Sequence, residues 1–212
     1  MDDRWFGLGD RGRYTACVRK RMTNRLDDLK ERLSRMAVTD PPSWVRKASH
    51  SIGGLTEIGY SNDSDLLLVI SAQGRGLFNC ENGERIARDR AEDWPELDQV
   101  RLTSNGIGPL ADVQVNLAGL HGGGLPMMTQ DGWSLESISL DWPDYEIFLT
   151  QGFNSLFHGD GHSYKIQTGV TVLRAIGFST TGKSFVVATS HWLDIYARSA
   201  VQQSVEPKRP NQ

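Results

Sequence analysis

From Ile52 to Arg198 the apolar residues of this chain come in short runs, β-branched or aromatic, each ended by Gly, Asn, Asp or Pro. Asp65 to Ser71, Val113 to Leu117, Glu146 to Thr150 and Ser184 to Thr189 are examples. Runs of that length and composition between turn formers read as strands joined by tight turns. They also exclude a membrane-spanning helix, because the longest uninterrupted apolar run, Leu66 to Ile70, is far short of the ~20 residues such a helix needs.

The stretch before this region has another texture. Met22, Leu26, Leu29, Leu33 and Met36 recur at three- and four-residue steps, which puts them on one face of a helix, with Thr23 or Asn24 in place to cap it. Arg25, Asp27, Asp28, Lys30, Glu31, Arg32 and Arg35 make its solvated face, and Arg19-Lys20-Arg21 is a local basic cluster read as the solvated helix start. Pro41-Pro42 stops the helix, since proline lacks the amide hydrogen and restricts the residue before it. The sequence therefore divides into a basic segment and amphipathic helix over 1–42, a β-rich domain over 43–198, and a polar tail over 199–212 that reads as disordered.

The strands repeat. Ile58-Gly59-Tyr60-Ser61, a turn Asn62 to Asp65 and the run Leu66 to Ser71 match Ile176-Gly177-Phe178-Ser179, a turn Thr180 to Lys183 and the run Ser184 to Ser190. Ile138-Ser139-Leu140 leads through Asp141 to Asp144 into Tyr145 to Thr150 in the same order. The spacing of these starts predicts a period of about 40 residues, with a weaker start near Val100. A strand, a polar turn, a β-branched strand and an aromatic-ended strand such as Leu193-Asp194-Ile195-Tyr196 resembles the blade of a WD-repeat β-propeller over roughly 52 to 198. The fold expected is mainly β: antiparallel propeller-like or twisted sheet units with an N-terminal helix packed on them. A strand such as Tyr14 to Val18 is expected to pair with the last unit and close its edge.

Bulk composition narrows the function. With 23 Lys plus Arg against 26 Asp plus Glu, the formal charge of -3 gives no general attraction for nucleic acid or anionic membranes. The start Met1 to Arg4 lacks an apolar signal region, and two cysteines, Cys17 and Cys80, suit a reducing compartment. A cytoplasmic protein is expected.

Several motifs carry the look of chemistry. Gly177 to Ser184 matches the pattern of a phosphate-binding loop, but Phe185 to Thr189 prefers a strand where the mechanism needs a helix N-terminus. It reads as a hairpin turn. His121-Gly122-Gly123-Gly124 resembles an esterase oxyanion segment, yet the chain holds no Gly-x-Ser-x-Gly elbow, so the glycines read as a loop that needs positive backbone angles. His158, Asp160 and His162 lie within five residues, and a metal-dependent hydrolase built on them is the enzyme alternative. The carboxylates Asp63 and Asp65, and Asp141 and Asp144, sit in turn sequences, where Asp bonds to local backbone. Asp93-Trp94-Pro95 and Asp141-Trp142-Pro143 read as corners that seat a ring against the sheet.

No catalytic residue, bound metal or cofactor is assigned. The reading is a non-enzymatic protein-binding module whose loops at 104–111, 120–132 and 158–163 present the contact surface. Its candidate binding residues are His121, Met127, Met128, Trp133, His158, Asp160 and His162. In general character the chain resembles bacterial immunity or antitoxin proteins, which implies another protein as partner. A subunit of a larger assembly, with self-association through unpaired edges, is the remaining alternative.

Overall fold

The structure, a computed structural model, describes residues 26–90, 97–153, 155–157 and 162–199. The chain divides into two compact units, 1–37 and 38–212. In the first, residues 26–35 are helical, as the spacing of Leu26, Leu29 and Leu33 predicts. Tyr14 to Val18, Cys17, Arg19 to Arg21, the capping residues Thr23 and Asn24, Asp93 to Pro95 and all of the tail but Ser199 lie outside the described residues.

The second unit is mainly β and consists of four antiparallel sheets. Sheet I is β6 (Leu97–Asp98), β7 (Thr103–Asn105) and β8 (Gln114–Asn116). Sheet II runs β5 (Glu84–Asp89), β4 (Gly74–Asn79), β3 (Leu66–Ser71), β2 (Leu55–Tyr60) and β9 (Ala118–Gly119). Sheet III runs β1 (Trp44–Ser51), β15 (Trp192–Arg198), β14 (Ser184–Thr189) and β13 (Leu173–Phe178). Sheet IV is β10 (Ser134–Asp141), β11 (Asp144–Thr150) and β12 (Ser163–Val170).

Three apolar layers join these sheets in the order I to IV. Leu68, Ile70 and Leu77 of sheet II meet Val115 and Leu117. The opposite face of sheet II, with Ile58, Leu67, Val69 and Phe78, packs on Val186, Ala188, Leu193 and Ile195 of sheet III. Phe178, Phe185, Val187 and Tyr196, on the other side of sheet III, pack with Trp44 and Trp133 on Leu135, Ile147 and Leu149 of sheet IV. β3 and β14 are thus buried on both faces, which explains why they are continuous apolar runs and not alternating ones.

The repeated segments form matching hairpins: β2–β3 and β13–β14 occupy equivalent places in sheets II and III, and β10–β11 opens sheet IV. Val100 starts no strand; it is 94% exposed in the turn between β6 and β7. The strand that pairs with the last unit is β1, in register from Trp44↔Arg198 to Ser51↔Trp192. Its polar sequence hid it, because an outer strand needs apolar residues at few positions; here Trp44 alone is fully buried.

The glycine-rich segment after sheet I is a seam, not a free loop. Asn116 O lies where a Cβ on Gly59 would sit, Thr56 O where one on Gly119 would sit, and Leu117 O where one on Gly123 would sit. Only glycine allows backbones to approach this closely. Leu120 N–H donates to Thr56 O at 2.9 Å and Phe178 N–H to Pro126 O at 2.7 Å, so the segment is tied to sheet II and then to sheet III.

Candidate functional site

The turn after β13 and the turn after β2 lie side by side, because both hairpins enter their sheets in the same direction. Thr180 Oγ1 donates to Asn62 O at 2.7 Å, Thr181 Oγ1 to Asp65 Oδ2 at 2.7 Å, and Ser184 Oγ to Asp65 Oδ1 at 2.5 Å. The hydroxyls of the phosphate-loop-like sequence are therefore spent on the neighbouring turn, and β14 follows directly as a strand. Asp65, a turn carboxylate by sequence, is buried and serves as the acceptor that clamps two sheets together.

Beside this clamp opens a cleft of about 720 Å³. Its one wall is the turn Ser179 to Lys183; its other wall is Pro126 and Met128 to Asp131. Arg198 joins the two, donating from Nε to Gly182 O at 3.0 Å and from a terminal nitrogen to Asp131 at 2.7 Å while its guanidinium lies 4.5 Å over Trp44. Partial burial opposes ionisation of Asp131, but hydrogen bonds from Arg198 and Thr129, the charge of Arg198 and a backbone hydrogen bond together outweigh it and hold the carboxyl below its ordinary range. Thr129 closes the second wall, donating its N–H to Trp133 O at 2.8 Å and accepting from Trp133 N–H at 3.0 Å.

Met127 is 40% exposed, and its chain neighbour Met128, 50% exposed, belongs to this pinned wall. Phe153 stands beside it, 64% exposed, with its N–H donating to Gly132 O at 3.0 Å and its ring against Gly132. Its φ of 56° is in the left-handed region, a strained state for an aromatic residue. Sequence reasoning missed Phe153, since nothing local marks a residue held in that conformation.

Trp133 is not part of this surface. It is 2% exposed, with its ring 6.0 Å from that of Trp44 in an edge arrangement, and belongs to the core between sheets III and IV. Trp142 shows the opposite correction. Expected against the sheet, it is 78% exposed at the tip of the β10–β11 hairpin, with Tyr145 as a ring neighbour.

His121 lies apart, at the seam. Its Nδ1 is 2.7 Å from Glu57 Oε1, and its N–H donates to the same oxygen at 3.1 Å. Glu57 is buried, and its Oε2 has no hydrogen-bond partner. A buried carboxylate on Nδ1 leaves Nε2 as the free nitrogen, an arrangement shared by general bases and metal-ligand histidines. Gly119 and Gly122 exchange backbone hydrogen bonds, so these amides close a turn and offer no oxyanion hole.

Of the loop at 158–162 only His162 is described, with its carbonyl accepting from Gln151 N–H at 3.0 Å; His158 and Asp160 lie outside the described residues. Among the described residues no three His, Cys, Asp or Glu side chains come together as a metal site. No helix of the described residues is long and apolar enough to cross a membrane. No protein-family model, curated protein or solved structure matches the chain.

Proposed function

We propose that this chain is a protein-binding module that meets its partner with the Met128 cleft and the Phe153 knob beside it. The observation that carries the reading is Phe153 itself: an exposed aromatic ring kept on strained backbone by fixed hydrogen bonds to Gly132. Strain of this kind persists where the surrounding structure over-determines it, often at binding sites. Exposed aromatic and Met side chains supply contact area, and Lys183 and Asp131 give the rim charges of both signs that set orientation.

The test is an affinity purification from the host with wild-type chain and with Phe153→Asp and Met128→Asp. A protein that co-elutes in stoichiometric amount with wild type and is lost with both variants supports the proposal. Equal recovery with the variants, or no stoichiometric partner, overturns it. The narrower form, an inhibitor of the immunity or antitoxin type, requires that one equivalent of chain abolish the partner's activity.

Two architectural and cellular readings belong with this proposal. The propeller resemblance draws support from the equivalent hairpins of sheets II and III and from β1 completing sheet III. The cytosolic placement draws support from Cys80, a free and buried thiol.

A further inference from the structure

On the outer part of sheet II a recess of about 60 Å³ opens toward sheet III. Its floor is set by Gly76, whose missing side chain leaves the space bounded by the Phe78 ring and the stem of Arg85. Gly76, Phe78, Arg85 and Arg88 share one face of the β4–β5 pair, since Phe78 is opposite Arg85 and Gly76 opposite Arg88. Gln73 and Ser51 complete the rim. The volume suits one tetrahedral oxyanion or a few waters.

The described carboxylates beside the recess are already engaged. Arg75, on the opposite face, is paired with Asp89 at 2.6 Å, and Glu84 accepts from Asn82. Neither Arg85, Arg88 nor Arg90 forms an ion pair with a carboxylate of the described residues. Slight desolvation and the positive charges of Arg90 and Arg85 push Arg88 below the ordinary guanidinium range. Arg85, Arg88 and Arg90 are three like charges within six residues, in β5 and just beyond its end, and an anion bound between them would relieve their repulsion.

We propose that this recess is an oxyanion site, in which the guanidinium forks of Arg85 and Arg88 grip a phosphate or sulfate group whose third side faces solvent. Paired N–H donors match the oxygens of such groups, and guanidinium is the cation best suited to hold them. The open side leaves room for the anion to be free or to be the end of an organic phosphate. This site is separate from the Met128 cleft and does not depend on it.

Calorimetric titration with inorganic phosphate, sulfate and phenyl phosphate, each against sodium chloride at equal ionic strength, tests the proposal. Saturable binding of the oxyanions and not of chloride is expected, with affinity weakened about tenfold or more in R85Q/R88Q. Arg88→Lys keeps the charge without the fork and should fall between, while Arg101→Gln, on sheet I, should bind like wild type. Tighter binding of phenyl phosphate identifies an ester as the natural ligand class; preference for inorganic phosphate identifies the free anion. Binding that chloride reproduces, or that survives in R85Q/R88Q, overturns the site.

Discussion

Asp65 is buried, and two hydroxyls from the neighbouring sheet converge on its two oxygens. Removing it takes the carboxylate from Thr181 and leaves the buried Ser184 hydroxyl only the longer bond to Tyr60 Oη at 3.2 Å, so Asp65→Ala should cost about 2 kcal/mol in urea unfolding. Around it, burial pushes the Cys80 thiol from 9.0 up to about 12, and burial first, then the nearby Cys80, raises Tyr60 well above 10.0. Folded Cys80 keeps its proton in a range where the unfolded chain releases it. Its contribution is therefore fully present below pH 9.0 and is lost as pH rises toward about 12. The unfolding free energy should fall by about 1.4 kcal/mol per pH unit over that interval from this group alone. Cys80→Ala should flatten the slope by that amount; Tyr60 keeps the remainder. None of this network could be read from local sequence, which marks Asp65 only as a turn residue; its partners lie more than a hundred residues away.

At the scale of elements, strands and turns were legible and directions were not. Leu66–Ser71 and Ser184–Thr189 announce themselves because burial on both faces leaves an unbroken apolar run. The two tryptophans Trp133 and Trp142 were placed the wrong way round, since both lie just outside β10, where no strand alternation says whether a ring turns to the core or to solvent. Trp133→Ala should cost about 4 kcal/mol in denaturant unfolding, and Trp142→Ala less than about 0.5 kcal/mol. The glycine seam gives a second contrast. An added methyl group meets a backbone oxygen at 2.2 Å for Gly59 and 2.1 Å for Gly123, but meets nothing within 4 Å for Gly124. Gly59→Ala and Gly123→Ala should each destabilise by about 2 kcal/mol or more, with Gly124→Ala within about 0.5 kcal/mol of wild type by thermal or urea unfolding. By sequence, Gly59 falls in a strand and Gly122 to Gly124 in a loop; which of them touch another backbone depends on the packing of distant strands.

For the whole molecule, the described sheets form an open series: I on II, II on III, III on IV. The candidate contact surface was legible only in part. Met127 and Met128 stand where the sequence put a recognition loop, whereas Phe153 owes its place to a strained backbone and Arg198 owes its place in the cleft to pairing of β15 with β1. That pairing has a consequence for how the protein comes into being. β1 is made early, and the strand it needs, Trp192–Arg198, is made after the rest of the sheets. Its partner lies at very long sequence separation, so closure waits on the slowest kind of contact. On the ribosome, Trp44 and the face of sheet III that it covers stay uncapped until Trp192–Arg198 has emerged, a window in which those apolar surfaces are open to aggregation.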